Sequence, residues 1–182
     1  MKIVEVLVAL AAFGVASGSQ RYFDPNGSGD FTRPLETTNP DAYGNFTEYA
    51  ERYGFTTETH EIVTEDGYIL VAFRITGIKG GASNIGKPVV FFQHGLLDQS
   101  DTWIVNDPDM TPGFQMARAG FDCWFGNSRG NKYSRTHEYL SRWSEEFWEF
   151  TWQHMAEFDV PANVNYVLEK TGQEKLTWIG HS

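Results

Sequence analysis

The hydrophobic pattern divides the chain into stretches of different rhythm. Val6 to Val15 is an unbroken apolar run, whereas residues 19 to about 40 are rich in Gly, Ser, Pro, Asn and Thr and have no apolar period. The first stretch predicts a targeting segment and the second a loose leader. Asn45-Phe46-Thr47-Glu48 reads as a helix start, because an Asn cap with Glu three residues later can satisfy amide hydrogens that a first turn leaves unpaired. That short helix ends at Gly54. The runs His60 to Thr64 and Tyr68 to Ile75 are rich in strand-forming residues and flank Glu65-Asp66-Gly67, so they predict a β-hairpin with a tight Asp-Gly turn. Gly77 to Gly86 predicts a polar, flexible loop.

From residue 88 the rhythm changes. Pro88-Val89-Val90-Phe91-Phe92-Gln93 is apolar without alternation, as expected of a strand covered on both faces. Pro112 to Ala119 predicts a short helix, and Phe121 to Phe125 a second buried strand. Glu145 to Lys170 is helical in composition and is expected to break at Asp159-Val160-Pro161. Gly172 closes it, and Lys175-Leu176-Thr177-Trp178-Ile179 predicts a third buried strand. Strands alternating with helices imply an α/β fold whose mostly parallel sheet has helices on both faces. Ligands bind beyond the carboxyl ends of such strands. The segments His94-Gly95, Asn127-Ser128 and His181-Ser182 all follow strands, so they should gather on one sheet edge.

Composition narrows the function. The chain has 182 residues, 41% hydrophobic and 21% charged, an ordinary balance for one globular domain. A net charge of −10 without basic clusters argues against nucleic acid as a partner. Met1-Lys2, the apolar run and Ala16-Ser17-Gly18 fit a cleaved signal peptide over residues 1–18, although Glu5 is an awkward charge there. The run is shorter than the roughly 20 residues needed to span a bilayer, and no transmembrane segment is expected. Asn26-Gly27-Ser28 and Asn45-Phe46-Thr47 are glycosylation sequons, which matter because the targeting signal agrees with them. Cys123 is the sole cysteine, so no internal disulfide or thiolate metal site is possible, and its apolar neighbours predict a buried structural role.

The candidate chemistry centres on Ser182, which follows a strand through Gly180-His181. A strand entering Gly-x-Ser matches the turn that lifts a serine hydroxyl above a sheet edge. That hydroxyl attacks only if a base takes its proton and donors stabilise the oxyanion. The backbone N–H of Leu96, after His94-Gly95, is the candidate donor, with His94 shaping the loop. The base is missing: all five histidines, His60, His94, His137, His154 and His181, precede Ser182, whereas in this arrangement the histidine comes last. Glu145, Glu146 and Glu149 read as a solvated face. Trp148 and Trp152, spaced by four, read as core packing on one helical face, in preference to a lipid contact with Trp143.

Several long runs together resemble the acid lipases, the group of gastric lipase, lysosomal acid lipase and related steryl ester hydrolases. They are Glu61 to Leu70, Val89 to Leu97, Gly126-Asn127-Ser128-Arg129-Gly130-Asn131, Glu146-Phe147-Trp148, Asp159-Val160-Pro161-Ala162, and Lys170-Thr171-Gly172-Gln173 leading into Gly-His-Ser. The similarity covers about Asn39 to Ser182. It implies an α/β-hydrolase fold and hydrolysis of carboxylic esters of lipids at a lipid–water interface, triacylglycerols or steryl esters. It also implies Ser182 as nucleophile, the Leu96 N–H in the oxyanion hole, no cofactor, a secreted or lysosomal setting, and a glycan at Asn45.

The resemblance has departures. The family's serine is followed by Gln-Gly, whose Gln supplies another oxyanion donor, and its catalytic Asp and His lie further on. Gln153-His154 replaces a usual acidic pair. Residues 41–182 are therefore expected to be the N-terminal part of the hydrolase domain, and residues 19–182 by themselves to be poorly soluble and without esterase activity. The alternative is a non-catalytic module of the same fold that binds a lipid or a partner.

Overall fold

The computed structural model describes residues 44–182; the expected signal peptide, the leader and the Asn26 sequon lie outside the described residues. The first helix, α1 (Phe46–Arg52), starts as the sequence predicts. The Asn45 side chain accepts the Glu48 N–H while Glu48 reaches back to the Asn45 N–H. Strands β1 (Phe55–Val63) and β2 (Tyr68–Ile78) form the hairpin, with Gly67 at φ +91 in its turn. The loop after β2 is pinned, contrary to expectation: buried Asn84 donates to the Ala117 and Phe121 carbonyls.

Four further strands complete the sheet: β3 (Val89–Gln93), β4 (Asp122–Gly126), the two-residue β5 (Thr136–His137) and β6 (Thr177–Gly180). The order is β1-β2-β4-β3-β6, with β5 on β2. The hairpin is antiparallel to its neighbour, and β3 runs parallel to both β4 and β6. Side chains of β3 and β4 alternate between two cores, which is why their sequences are apolar throughout. Val90, Phe92, Cys123 and Phe125 pack with α1 and with α2 (Pro112–Arg118). Val89, Phe91 and Trp124 pack on the other face with Val164, Val167 and Leu168.

The long helical region differs from expectation. Glu146–Trp148 forms a single 3₁₀ turn, and the α-helix starts only at Trp152. From there α3 (Trp152–His154), a π turn (Met155–Asp159) and α4 (Val160–Thr171) run on without a break. Pro161 does not interrupt them, because the Val160 N–H bonds five residues back to the Met155 carbonyl and the wider turn carries the chain past the proline ring. Trp148 and Trp152 consequently share no helical face. They are 46% and 74% exposed, so the core-packing expectation is corrected. Strand β6 is corrected too: Trp178 and Ile179 are only half-buried, since β6 pairs with β3 alone among the described residues.

Candidate active site

Three loops leave the sheet at one level, because Gln93 stands in register with Gly126 on one side and Gly180 on the other. This places His94-Gly95-Leu96-Leu97, Asn127-Ser128 and His181-Ser182 together at the carboxyl ends of the parallel strands. The His181 N–H extends the ladder by one bond to the Gln93 carbonyl. The chain then turns: Ser182 has φ 61, and Leu97 in the facing loop has φ 62. These are the non-glycine residues with positive φ among the described residues, and such backbone is costly enough to concentrate at functional sites.

Ser182 is exposed and lies against Gly95. A β-carbon on Gly95 would stand 3.1 Å from the Ser182 Cβ, 3.1 Å from the His181 carbonyl oxygen and 3.1 Å from His181 Nδ1. Only glycine lets the two loops approach this closely. Leu96, next in the chain, is 69% exposed and its N–H is bonded to no described residue.

The loop after β4 supports this edge. Buried Asn127 donates to the Val71 carbonyl and to Ser100 Oγ, and its Oδ1 accepts from the Ser100 N–H and from Asn131. Ser128 Oγ accepts from Gln93 Nε2, and the Ser128 N–H donates to His94 Nε2. Arg129, fully buried, bonds Asp66 in the hairpin turn and Asp159 in the π turn, with its guanidinium 4.0 Å above the Tyr68 ring. Burial raises the Asp159 carboxyl above its usual range despite Arg129. Burial also acts to raise Asp66, but there the Arg129 and Thr64 hydrogen bonds win and lower it. Sequence reasoning gave no role to Asn127, Asn131 or Arg129; the signal was their concentration in one six-residue run.

Four of the five histidines have ring nitrogens bonded to groups other than Ser182. His60 bonds Tyr166 and Glu58. His94 bonds Gly95, Ser128 and Asn131. His137 bonds the Asp66 carbonyl and the Tyr139 and Leu140 N–H groups, and His154 bonds Thr151. His181 adjoins the serine with its backbone tied to Gln93. Among the described residues no group of His, Cys, Asp or Glu could hold a metal ion, and no helix is long and apolar enough to cross a membrane.

The sheet is mixed where a mostly parallel one was expected, because the hairpin and β5 pair antiparallel and only β3 with β4 and β6 is parallel. Such a sheet with helices on both faces, and a serine in left-handed backbone after a parallel strand, fits the α/β-hydrolase class. The chain belongs to that family, and within it to the acid lipases: residues 88–182 match the model described as alpha/beta hydrolase fold, and residues 46–107 the partial alpha/beta-hydrolase lipase region. It is 47% identical to rat gastric triacylglycerol lipase over 145 residues, which is 79% of this chain and 37% of that protein. Mouse gastric triacylglycerol lipase is 42% identical over 183 residues, 100% of this chain and 43% of that one. The lysosomal acid lipase/cholesteryl ester hydrolase of Macaca fascicularis is 47% identical over 149 residues, 81% and 37%. The chain thus spans roughly two fifths of the length of these curated relatives. Among solved structures, Pyrococcus furiosus esterase Pf2001 shares the fold, with a TM-score of 0.51 at 18% identity over 75% of this chain and 45% of that one.

Proposed function

We propose that this chain supplies the nucleophile and one oxyanion donor of a serine esterase that hydrolyses carboxylic esters of lipids, triacylglycerols or steryl esters, at a lipid–water interface. The observation that carries the reading is the meeting of Ser182, in left-handed backbone at a strand end, with the Gly95–Leu96 peptide, whose N–H has no described partner. Ser182 Oγ attacks the ester carbonyl, and the Leu96 N–H holds the developing oxyanion. The alcohol leaves, and water releases the fatty acid from the acyl-enzyme. The base is a histidine beyond Ser182 in the chain, oriented by an acidic residue, and no cofactor takes part. The named lipases among the relatives support this substrate class.

The setting proposed is secretion or the lysosome, with residues 1–18 removed as a signal peptide, residues 19–40 a leader, and residues 41–182 the first part of the hydrolase domain. A glycan at Asn45 is compatible with the helix cap. The capping bonds from the Glu48 N–H and the Thr47 hydroxyl fall on Asn45 Oδ1, whereas the sugar attaches at the amide nitrogen.

The test is the Ser182→Ala variant of the complete native chain, assayed on a short-chain nitrophenyl ester and on emulsified triacylglycerol. Loss of both activities is expected. Full activity in the variant would remove Ser182 from the chemistry.

A further inference from the structure

We propose that His94 is the positioning residue of this site: a neutral imidazole that grips the Gly95 carbonyl and so turns the Leu96 N–H toward Ser182. The proposal rests on the reading of Ser182 as nucleophile.

The neighbours of the ring fix its tautomer. His94 is buried, and two donors face its Nε2: the Ser128 N–H at 3.0 Å and the Asn131 side-chain amide at 3.1 Å. The Asn131 amide cannot be reversed, because its Oδ1 accepts the N–H groups of Tyr133 and Ser134. Nε2 is therefore the acceptor, Nδ1 carries the hydrogen, and Nδ1 donates to the Gly95 carbonyl oxygen at 2.7 Å. The same oxygen also accepts the Asp98 N–H at 3.3 Å.

Gripping that oxygen orients the whole peptide. No peptide bond among the described residues is cis, and in a trans peptide the carbonyl and the following N–H point in opposite directions. With the Gly95 oxygen drawn back toward a buried ring, the Leu96 N–H is aimed outward, on the edge where Gly95 touches Ser182. With both nitrogens occupied, His94 is not the base. It ties the loop after β3 to the loop after β4 and acts on the reaction through a peptide it does not share with substrate.

Charge reinforces the clamp. Protonation would set an Nε2–H against the Ser128 and Asn131 donors. Burial lowers the pKa of His94, against the opposing pulls of the Gly95 carbonyl and of Asp98, the charged group facing it from its own loop. Ser128 and Asn131 face it from the loop after β4 without charge, and His181 borders Gly95 from the loop after β6. The clamp thus stays closed under mildly acidic conditions in which a free imidazole is charged.

Three variants of the complete native chain separate the two bonds of the ring. His94→Asn keeps a donor at the δ position for the Gly95 oxygen, His94→Gln keeps an acceptor at the ε position for Ser128, and His94→Ala keeps neither. On a nitrophenyl ester, Asn should retain kcat within about tenfold. Gln and Ala should lose roughly 10²- to 10³-fold at nearly constant KM, the loss seen when one oxyanion donor goes. Gln matching or exceeding Asn, or all three falling only in step with folded protein, would overturn the proposal. Nitrogen-detected NMR should show the Nδ1–H tautomer of His94 persisting below an ordinary imidazole value near 6.5. An Nε2–H tautomer with turnover intact would sink the clamp alone. Absence of Ser182-dependent turnover in the unsubstituted native chain would sink the nucleophile reading, and the clamp's purpose with it.

Discussion

A β-carbon built on Gly95 stands 3.1 Å from the Ser182 Cβ, closer than side chains ordinarily approach. Two of the three crowding atoms belong to His181, one of them backbone, so relief requires the elbow itself to move. Gly95→Ala should therefore separate the serine from the Leu96 amide by a few tenths of an ångström to an ångström while leaving the cores intact. A misplacement of that order can cost about 10²-fold in rate. The expected outcome is a comparable fall in kcat/KM of the complete native chain, with an unfolding midpoint close to that of the unsubstituted protein.

Arg74 and Asp122 form a buried bidentate pair across β2 and β4, with Nε–Oδ1 at 2.8 Å and Nη2–Oδ2 at 2.6 Å. Arg74 is 4% exposed and Asp122 fully buried. Arg74 also meets the half-buried Glu58 at 3.1 Å, so removing Asp122 leaves the buried guanidinium with that one partner, at a cost of up to about 3–5 kcal/mol. Urea denaturation should show a loss of that size for Asp122→Ala. It should be much smaller for the double replacement Arg74→Met with Asp122→Leu, which removes both charges and keeps the volume.

The strands and the two cores were legible in the sequence because continuous apolar runs such as Val89 to Phe92 fit only a doubly covered strand. The hairpin and the α1 cap were legible because Asp66-Gly67 and Asn45 with Glu48 are local signals whose bonds close within a few residues. The helix start at Trp152 was not legible. Composition across Glu145 to Phe150 favours helix, but burial of Phe147 against Tyr68 and Phe150 wins over propensity there. The π turn escaped because the sequence shows a proline and not the carbonyl that moves aside for it. At the site, Gly95 and Ser182 were visible as types in sequence. The polar scaffold of Asn127, Asn131 and Arg129 was not, because its partners lie up to 63 positions away in the chain.

His60 connects β1 to α4 through Tyr166 and packs against Trp124. Burial lowers its pKa, and the pull of the neighbouring Glu58 does not compensate. The sign follows: as pH falls below about 6.5, the unfolded chain takes up a proton that folded His60 resists, so stability is lost in that window. His94 acts in the same direction. The urea midpoint should decline from pH 7 to pH 5, and His60→Gln should flatten the decline. A slope unchanged by the substitution would assign the proton uptake elsewhere.

Cys123 is fully buried in β4, and burial with the adjacent Asp122 carboxylate pushes its thiol well above the ordinary range. A protonated, inaccessible sulfur is inert toward disulfide reagents. Ellman's reagent should leave the native protein unlabelled over minutes and release one equivalent of thiolate in denaturing urea. Prompt labelling of the native protein would mean that β4 opens locally.

Four of the five histidines, His60, His94, His137 and His154, have ring nitrogens bonded to groups other than Ser182, and His181, the adjacent one, is tied through its backbone to Gln93. For any of these four to serve as base, an existing set of bonds must break: Tyr166 and Glu58 for His60, Gly95 and Ser128 for His94, Asp66 for His137, Thr151 for His154. His181 is the neighbour of the serine in the chain, and adjacent side chains at such a turn point apart. A serine without a base remains a neutral hydroxyl and attacks esters slowly. The 182-residue chain by itself should therefore turn over nitrophenyl butyrate no faster than its Ser182→Ala control. It should also tend to associate, since β6 offers an edge that no described strand pairs. Turnover that Ser182→Ala abolishes would show that one of the five histidines reaches the serine. Substituting the five in turn would then identify which.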